Sequence, residues 1–320
     1  MKTLNPLNSI LIEIKRGGKS YYFFLDAGFP YSFSADEIGP LSNNDFNVEQ
    51  TFELPLRSTF PVNLNNLSEL MGVKLSGFLG MDFFRKFDNI LIDIKSKSIE
   101  FNVSGFTPDY ETEFIEMSPS FIINASMGEA NMERCLVDTG AFMNVSSDNY
   151  LSGNGVSSGW QFPSAMGPLN LSYYNDIDIF IGNKSLGGYV CGNNMKSFFP
   201  FSHILGNNFM ADFQCMFDVK NRKFKLKQSV KAQLINSNPS HTLGFQVILR
   251  NKQIIVSNKI DSCVEGINEG DIIDVPGFDM EDKEIINQIY NKLIFINSGK
   301  ETEFLLNGKK VRCKPIKMFS

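Results

Sequence analysis

Along most of this chain apolar and polar positions alternate in short runs, the period-two pattern of half-buried strands. Residues 9–14 and 21–25 are two such runs around Lys15-Arg16-Gly17-Gly18-Lys19, which predicts a hairpin with a glycine turn. Its second strand delivers Asp26. Further strands are predicted at 51–56, 90–94 and 98–103, the last two joined by a Lys-Ser-Lys turn, and the polar stretch 104–110 marks a boundary.

The pattern then repeats. Residues 121–127 and 133–137 form a second hairpin around Gly128, with Asp138 at its exit. An arm at 176–181 with a Gly-Asn-Lys-Ser turn follows, and 214–219 pairs with 223–227 around Lys220-Asn221-Arg222. Short helices are expected near 68–71 and 82–87. The duplication is visible in the residues themselves: Tyr22-Phe23-Phe24-Leu25-Asp26-Ala27-Gly28 answers Arg134-Cys135-Leu136-Val137-Asp138-Thr139-Gly140-Ala141. Downstream, Phe78-Leu79-Gly80-Met81-Asp82-Phe83 leads to Phe87 and Asp93, and Ile204-Leu205-Gly206-Asn207-Asn208-Phe209 leads to Phe213 and Asp218. The paired aspartates stand 112 positions apart and the paired glycines 126, which is a duplicated unit of a little over a hundred residues.

The last ninety or so residues belong to neither copy. Asn236-Ser237-Asn238-Pro239-Ser240 has the composition of a linker. Beyond it, short strands precede a helical segment at 281–293, with Ile285, Ile289 and Leu293 on one face, and strands at 303–306 and 310–313 flank an Asn307-Gly308 turn. The expected division is a first lobe at 1–104, a second at 113–228 and an α+β unit at 237–320.

Composition narrows the function. A chain of 320 residues with 42% hydrophobic and 20% charged residues is an ordinary globular protein of two or three compact units. Thirty Phe against one Trp suit β-type cores. A net charge of −5, a pI near 5.3 and no Lys/Arg cluster argue against nucleic acid, and no apolar run is long enough to cross a bilayer. Five scattered cysteines without CxxC spacing, beside two histidines, read as buried thiols, so neither a metal nor another cofactor is expected. Met1 to Pro6 leads straight into the first strand with no export segment visible. The compartment stays open: cytoplasmic if Met1 is the native start, exported if a signal segment has been removed.

Two aspartates carried by duplicated loops can share one acid–base site. If the loops face each other, the carboxylates cannot both ionise; the charged one activates a water and the protonated one polarises a carbonyl. The competing reading makes Asp26 and Asp138 turn aspartates at strand ends. Pairing by duplication favours the shared site, with Asp82, Asp93 and Asp218 left as loop or turn carboxylates.

The run Cys135 to Ala141 resembles the active-site motif of the aspartic peptidases, pepsin-like and retropepsin-like alike. Phe78-Leu79-Gly80 and Ile204-Leu205-Gly206 resemble the hydrophobic-hydrophobic-glycine segments that pack beneath that family's aspartate loops. The short lobes look closer to bacterial retropepsin-like proteins fused in tandem than to long pepsins, and the resemblance covers roughly the first 228 residues. The resemblance implies a mostly β fold, a two-lobed acid-protease-like pair of β-barrels. It implies an endopeptidase dyad of Asp26 and Asp138 shaped by Gly28, Thr139, Gly140 and Ala141 and supported by Gly80 and Gly206. It also implies a peptide or protein substrate lying extended between the lobes. A substrate-covering flap is expected at 152–160, with Trp160 serving it or simply packing, or at 51–60 in the first copy. Duplication within one chain implies a monomer.

The first copy departs from the motif: Ala27 stands where Thr or Ser is expected and Phe29 where a small residue is usual. Ala141 is normal for the retropepsin-like branch. These departures keep a second reading open, an inactive protease fold that binds or scaffolds. In the C-terminal unit, Thr242-Leu243-Gly244-Phe245 and Glu269-Gly270-Asp271-Ile272-Ile273 resemble the carboxylate-binding loop and the Gly-Asp turn of PDZ domains, with Pro276 replacing the usual asparagine before Gly277. That resemblance implies a small α+β PDZ-like domain in which the N–H groups of Leu243, Gly244 and Phe245 hold a peptide C-terminus. A plain α+β cap without a ligand is the other reading.

Overall fold

The computed structural model describes residues 3–4, 9–35, 54, 62–129, 131–147, 151, 156–162, 169–193, 201–229, 241–259, 264–277, 288–289, 293 and 299–317. Its architecture is mostly β, and its first two thirds form two lobes built to one plan.

In the first lobe the strand Leu11–Arg16 turns through Gly17 and Gly18, both at positive φ, into Lys19–Leu25. Glycine is required there because a two-residue turn of matching twist needs φ > 0 at both positions. Lys19–Leu25 then pairs in parallel with Leu75–Leu79, setting Phe24 opposite Phe78 and Leu25 opposite Leu79. The connection between them ends in helix α1, Leu64–Met71. The Asn63 side chain caps it by accepting from Asn66 N–H, and Gly72 ends it in the left-handed conformation. The helix starts a turn earlier than the expected 68–71, at the Asn63 cap, and ends at Met71 as expected. Helix α2 is a single turn, Met81–Phe84, shorter than the expected 82–87.

In the second lobe Glu133–Val137 pairs in parallel with His203–Leu205, setting Val137 opposite Leu205, and helix α3, Asn207–Met210, follows as α2 does in the first. Its seven-stranded sheet closes on itself, because the long strand Leu169–Ile181 also pairs with Ile122–Met127. The flap candidates fall largely outside the described residues. Of 51–60 only Leu54 is described, and of 152–160 only the backbone of 156–160, within the strand Val156–Phe162.

A third sheet joins the lobes. Asn89–Asp93 and Phe213–Asp218 are equivalent strands of the two copies, and they lie antiparallel to each other at its centre. Tyr110–Glu113 forms its edge beside Lys223–Gln228, so part of the polar boundary stretch is itself ordered as a strand. Against this sheet Phe84 of the first lobe meets Phe121 and Phe217 of the second edge-on, with ring centroids 5.5 and 5.2 Å apart. Each fully buried Phe contributes on the order of 1.5–3 kcal/mol, and edge-to-face contact adds direction to that burial.

The C-terminal unit has its own five-stranded antiparallel sheet, running from Phe245–Arg250 at one edge to Lys309–Cys313 at the other. The expected helix at 281–293 lies outside the described residues except for Gln288, Ile289 and Leu293. Ile289 and Leu293 are fully buried, as their shared face predicts. No helix among the described residues is long and apolar enough to cross a membrane.

Candidate active site

Asp26 and Asp138 end equivalent strands and are held by equivalent bonds. Asp26 N–H donates to the Leu79 carbonyl at 2.9 Å, and Asp138 N–H to the Leu205 carbonyl at 3.0 Å. Each loop then turns back on its aspartate, with Phe29 N–H bonded to the Asp26 carbonyl and Ala141 N–H to that of Asp138. The carbonyls of Phe29 and Ala141 accept from Met81 and Asn207, both at 2.8 Å. Six backbone hydrogen bonds, three in each lobe, thus repeat about a local two-fold.

That symmetry brings the two carboxylates together. Gly28 N–H donates both to Asp26 Oδ1 at 2.9 Å and, across the two-fold, to Asp138 Oδ1 at 3.2 Å. Gly140 N–H donates to Asp138 Oδ1 at 2.8 Å. A Cβ on Gly28 would lie 2.5 Å from Asp138 Oδ2, and one on Gly140 would lie 2.5 Å from Asp26 Oδ1. The sequence suggests that these glycines serve a sharp turn. The structure gives another reason: neither has a positive φ, and each is small because the opposite carboxylate occupies the space of a side chain. Gly80 and Gly206 are small for a related reason, since a Cβ there would strike the Phe29 and Met143 carbonyls respectively.

Thr139 ties the loops together. It is fully buried, accepts from Ala27 N–H at 2.8 Å and donates to the Leu25 carbonyl at 2.9 Å. Ala27, equally buried, has no hydroxyl to return the bond. The other departure, Phe29, is absorbed by packing: its ring lies 5.3 Å from Phe78 and 6.2 Å from Phe33, in the first lobe's own aromatic cluster.

Two further brackets escaped sequence reading. Ser32, six residues after Asp26, donates its hydroxyl to Asp82 at 2.5 Å and accepts from Gly80 N–H at 2.9 Å. Asn144, six after Asp138, accepts from Gly206 N–H at 3.0 Å and donates its own N–H to Asn208 Oδ1 at 2.7 Å. Asp82 and Asn208 both stand two residues after their lobe's glycine, so identical spacing was the available signal. Asp82 is therefore a bracket beneath the Asp26 loop, whereas Asp93 and Asp218 do cap turns, accepting from Ser96 and Asn221 N–H.

The electrostatics break the symmetry. Burial, then the charge of Asp138, then a hydrogen bond to Asp138 hold the Asp26 carboxyl well above the usual range. Burial also raises Asp138, but the bond from Asp26 and the N–H groups of Gly140, Gly28 and Ala141 oppose it. Asp26 is buried and Asp138 is partly open. The arrangement favours one proton shared between the two carboxyl groups.

Ala141 is buried in the loop of Asp138. Trp160 lies in the strand Val156–Phe162, of which only the backbone is described. Leu243, Gly244 and Phe245 belong to the C-terminal unit, where Gly244 N–H donates to Thr242 Oγ1 at 3.0 Å and Leu243 and Phe245 are fully buried. Among the described residues no cluster of His, Cys, Asp and Glu could hold a metal.

No protein-family model matches this chain, and no curated protein matches it. Among solved structures it is similar to an aspartic proteinase from Irpex lacteus, with 11% identity and a TM-score of 0.42 over 72% of this chain and 96% of that one. The fold of the chain is mostly β, with two lobes built to one plan.

Proposed function

We propose that this protein is an aspartic endopeptidase in which Asp26 and Asp138 form one water-activating dyad. The observation that carries this reading is the approach of the two carboxylates across the local two-fold, with Gly28 N–H reaching both. Charged Asp138 takes a proton from a water molecule as its oxygen attacks the scissile carbonyl. Protonated Asp26 donates to the carbonyl oxygen, giving a neutral tetrahedral intermediate. That intermediate collapses when a proton from the dyad reaches the leaving nitrogen, and the dyad returns with one proton.

Gly28, Thr139, Gly140 and Ala141 shape the pair, and Gly80 and Gly206 support it. The substrate is an extended peptide lying between lobes divided as 1–104 and 113–228, cleaved by a monomer. The segment 237–320 is a PDZ-like appendage, and Leu243, Gly244 and Phe245 would be its peptide-binding loop. The absent hydroxyl at Ala27 is the one observation favouring an inactive, peptide-binding protein instead.

Incubation of the full chain with a pool of extended peptides, in the presence of hydroxylamine, decides between them. The peptidase reading expects new free C-termini and no hydroxamates, because no acyl-enzyme forms, and no products with Asp26→Asn. Hydroxamates, or cleavage that survives Asp26→Asn, would overturn it. Binding without cleavage by the wild type would support the inactive reading.

A further inference from the structure

The strand that would receive a peptide in a PDZ-like unit already has a neighbour in this chain. Helix α1 of the first lobe lies close against Phe245–Arg250, which is the edge strand of the C-terminal sheet. The buried helix residues Leu67, Leu70 and Met71 belong to one continuous apolar core with Leu243, Phe245 and Val247. At the strand's end Arg250 clasps Glu69 with two bonds, Nε to Oε1 at 2.9 Å and the terminal nitrogen to Oε2 at 2.8 Å. An exposed ion pair contributes little energy, but a two-pronged guanidinium–carboxylate contact fixes direction. Burial supplies the affinity and the ion pair supplies the register.

The same helix is wired to the dyad. Ser68 on α1 accepts from Leu75 N–H through its hydroxyl at 2.9 Å, and its carbonyl accepts from Val73 N–H. Leu75 begins the strand that ends at Leu79, whose carbonyl holds Asp26 N–H, and the next residue is Gly80, bracketed by Ser32. Along this strand Gly77 has room for no side chain, because a Cβ would strike the Phe33 carbonyl. A shift of α1 along its axis has little slack before it reaches the Asp26 loop.

We propose that the C-terminal unit is a built-in brace for the catalytic loop, with helix α1 seated on its edge strand. Glu69 and Arg250 are positioning residues that set Asp26 through α1 and the strand Leu75–Leu79. The kinetic part of this proposal rests on the peptidase reading; the mechanical part does not.

The test uses the full chain carrying Glu69→Arg, Arg250→Glu, or both, with amide hydrogen exchange and peptide-cleavage kinetics as readouts. Each single reversal places like charges together and speeds exchange across residues 64–79 by about fivefold, the upper range for an exposed pair. The same variants lower kcat with KM unchanged, and the double reversal restores both. Unchanged exchange at 75–79 in the single variants, or a double variant that behaves no better than the singles, would overturn the brace. If the wild type cleaves no peptide, the exchange arm still decides the brace, and only the proposed hydrolysis falls.

Discussion

The Thr139 hydroxyl bridges the Ala27 N–H and the Leu25 carbonyl of the opposite loop, and Ala27 returns no such bond to the second lobe. The cross-loop tie is therefore one-sided. Replacing Thr139 with Ala strips two buried backbone groups of their partner, which costs about 1–3 kcal/mol. Denaturant unfolding of Thr139→Ala should show a loss in that range; a loss below about 0.5 kcal/mol would mean the tie is dispensable.

Gly28 and Gly140 each occupy space bounded by the other lobe's carboxylate. Alanine at either position forces the dyad apart, since overpacking of this kind typically displaces neighbours and costs about 1–3 kcal/mol. Gly28→Ala and Gly140→Ala should each reduce kcat about 100-fold or more in steady-state assays, because a misplacement of about 1 Å has that effect. The far-ultraviolet circular dichroism should not change.

The dyad destabilises the fold at neutral pH. The folded-state pKa of Asp26 lies above its unfolded value, so its contribution to stability is fully present below the unfolded pKa and is lost as pH rises through the folded one. Asp26→Asn should accordingly raise Tm near neutral pH while abolishing cleavage. Both carboxylates are raised, so the bell of kcat/KM against pH should be centred above the range set by two ordinary carboxyl groups. A calorimetric pH series and a rate profile check the two halves of this prediction.

His203 acts in the opposite direction. It is fully buried beside Ser146, 2.9 Å from Nδ1 to Oγ, and burial pushes its imidazole down to about 4 against the pull of Glu133. The unfolded chain takes up a proton near pH 6.5 that the folded chain refuses, so this contribution is present above that pH and is lost as pH falls toward about 4. The window amounts to about 3 kcal/mol. A His203→Gln variant should lose this acid sensitivity, as judged by the slope of unfolding free energy against pH.

Much of this architecture was legible because duplication repeats its local signals. Asp138 at the exit of the strand Glu133–Val137, and Gly206 after Ile204-Leu205, could be placed by pattern alone. The sheet shared by Asn89–Asp93 and Phe213–Asp218 could not, since strand pairing across more than a hundred residues leaves no local trace. The brackets Ser32–Asp82 and Asn144–Asn208 hid for another reason: they keep their spacing but exchange their chemistry, hydroxyl and carboxylate in one lobe for two amides in the other. The strand Tyr110–Glu113, which begins in the polar boundary stretch 104–110, was not legible because every second residue of an edge strand faces water. The contact of Glu69 with Arg250 joins units that nothing in the local pattern relates.

The most direct test of the central claim is cleavage of extended peptides by the wild type and Asp138→Asn side by side, each with and without a statine-containing peptide inhibitor. Removing the charged base of the dyad should lower kcat by about 100-fold to 10,000-fold, with the variant still folded and still binding the inhibitor. The wild-type reaction should be blocked by that inhibitor. Cleavage by folded Asp138→Asn at the wild-type rate, or a wild type indifferent to the inhibitor, would contradict the account.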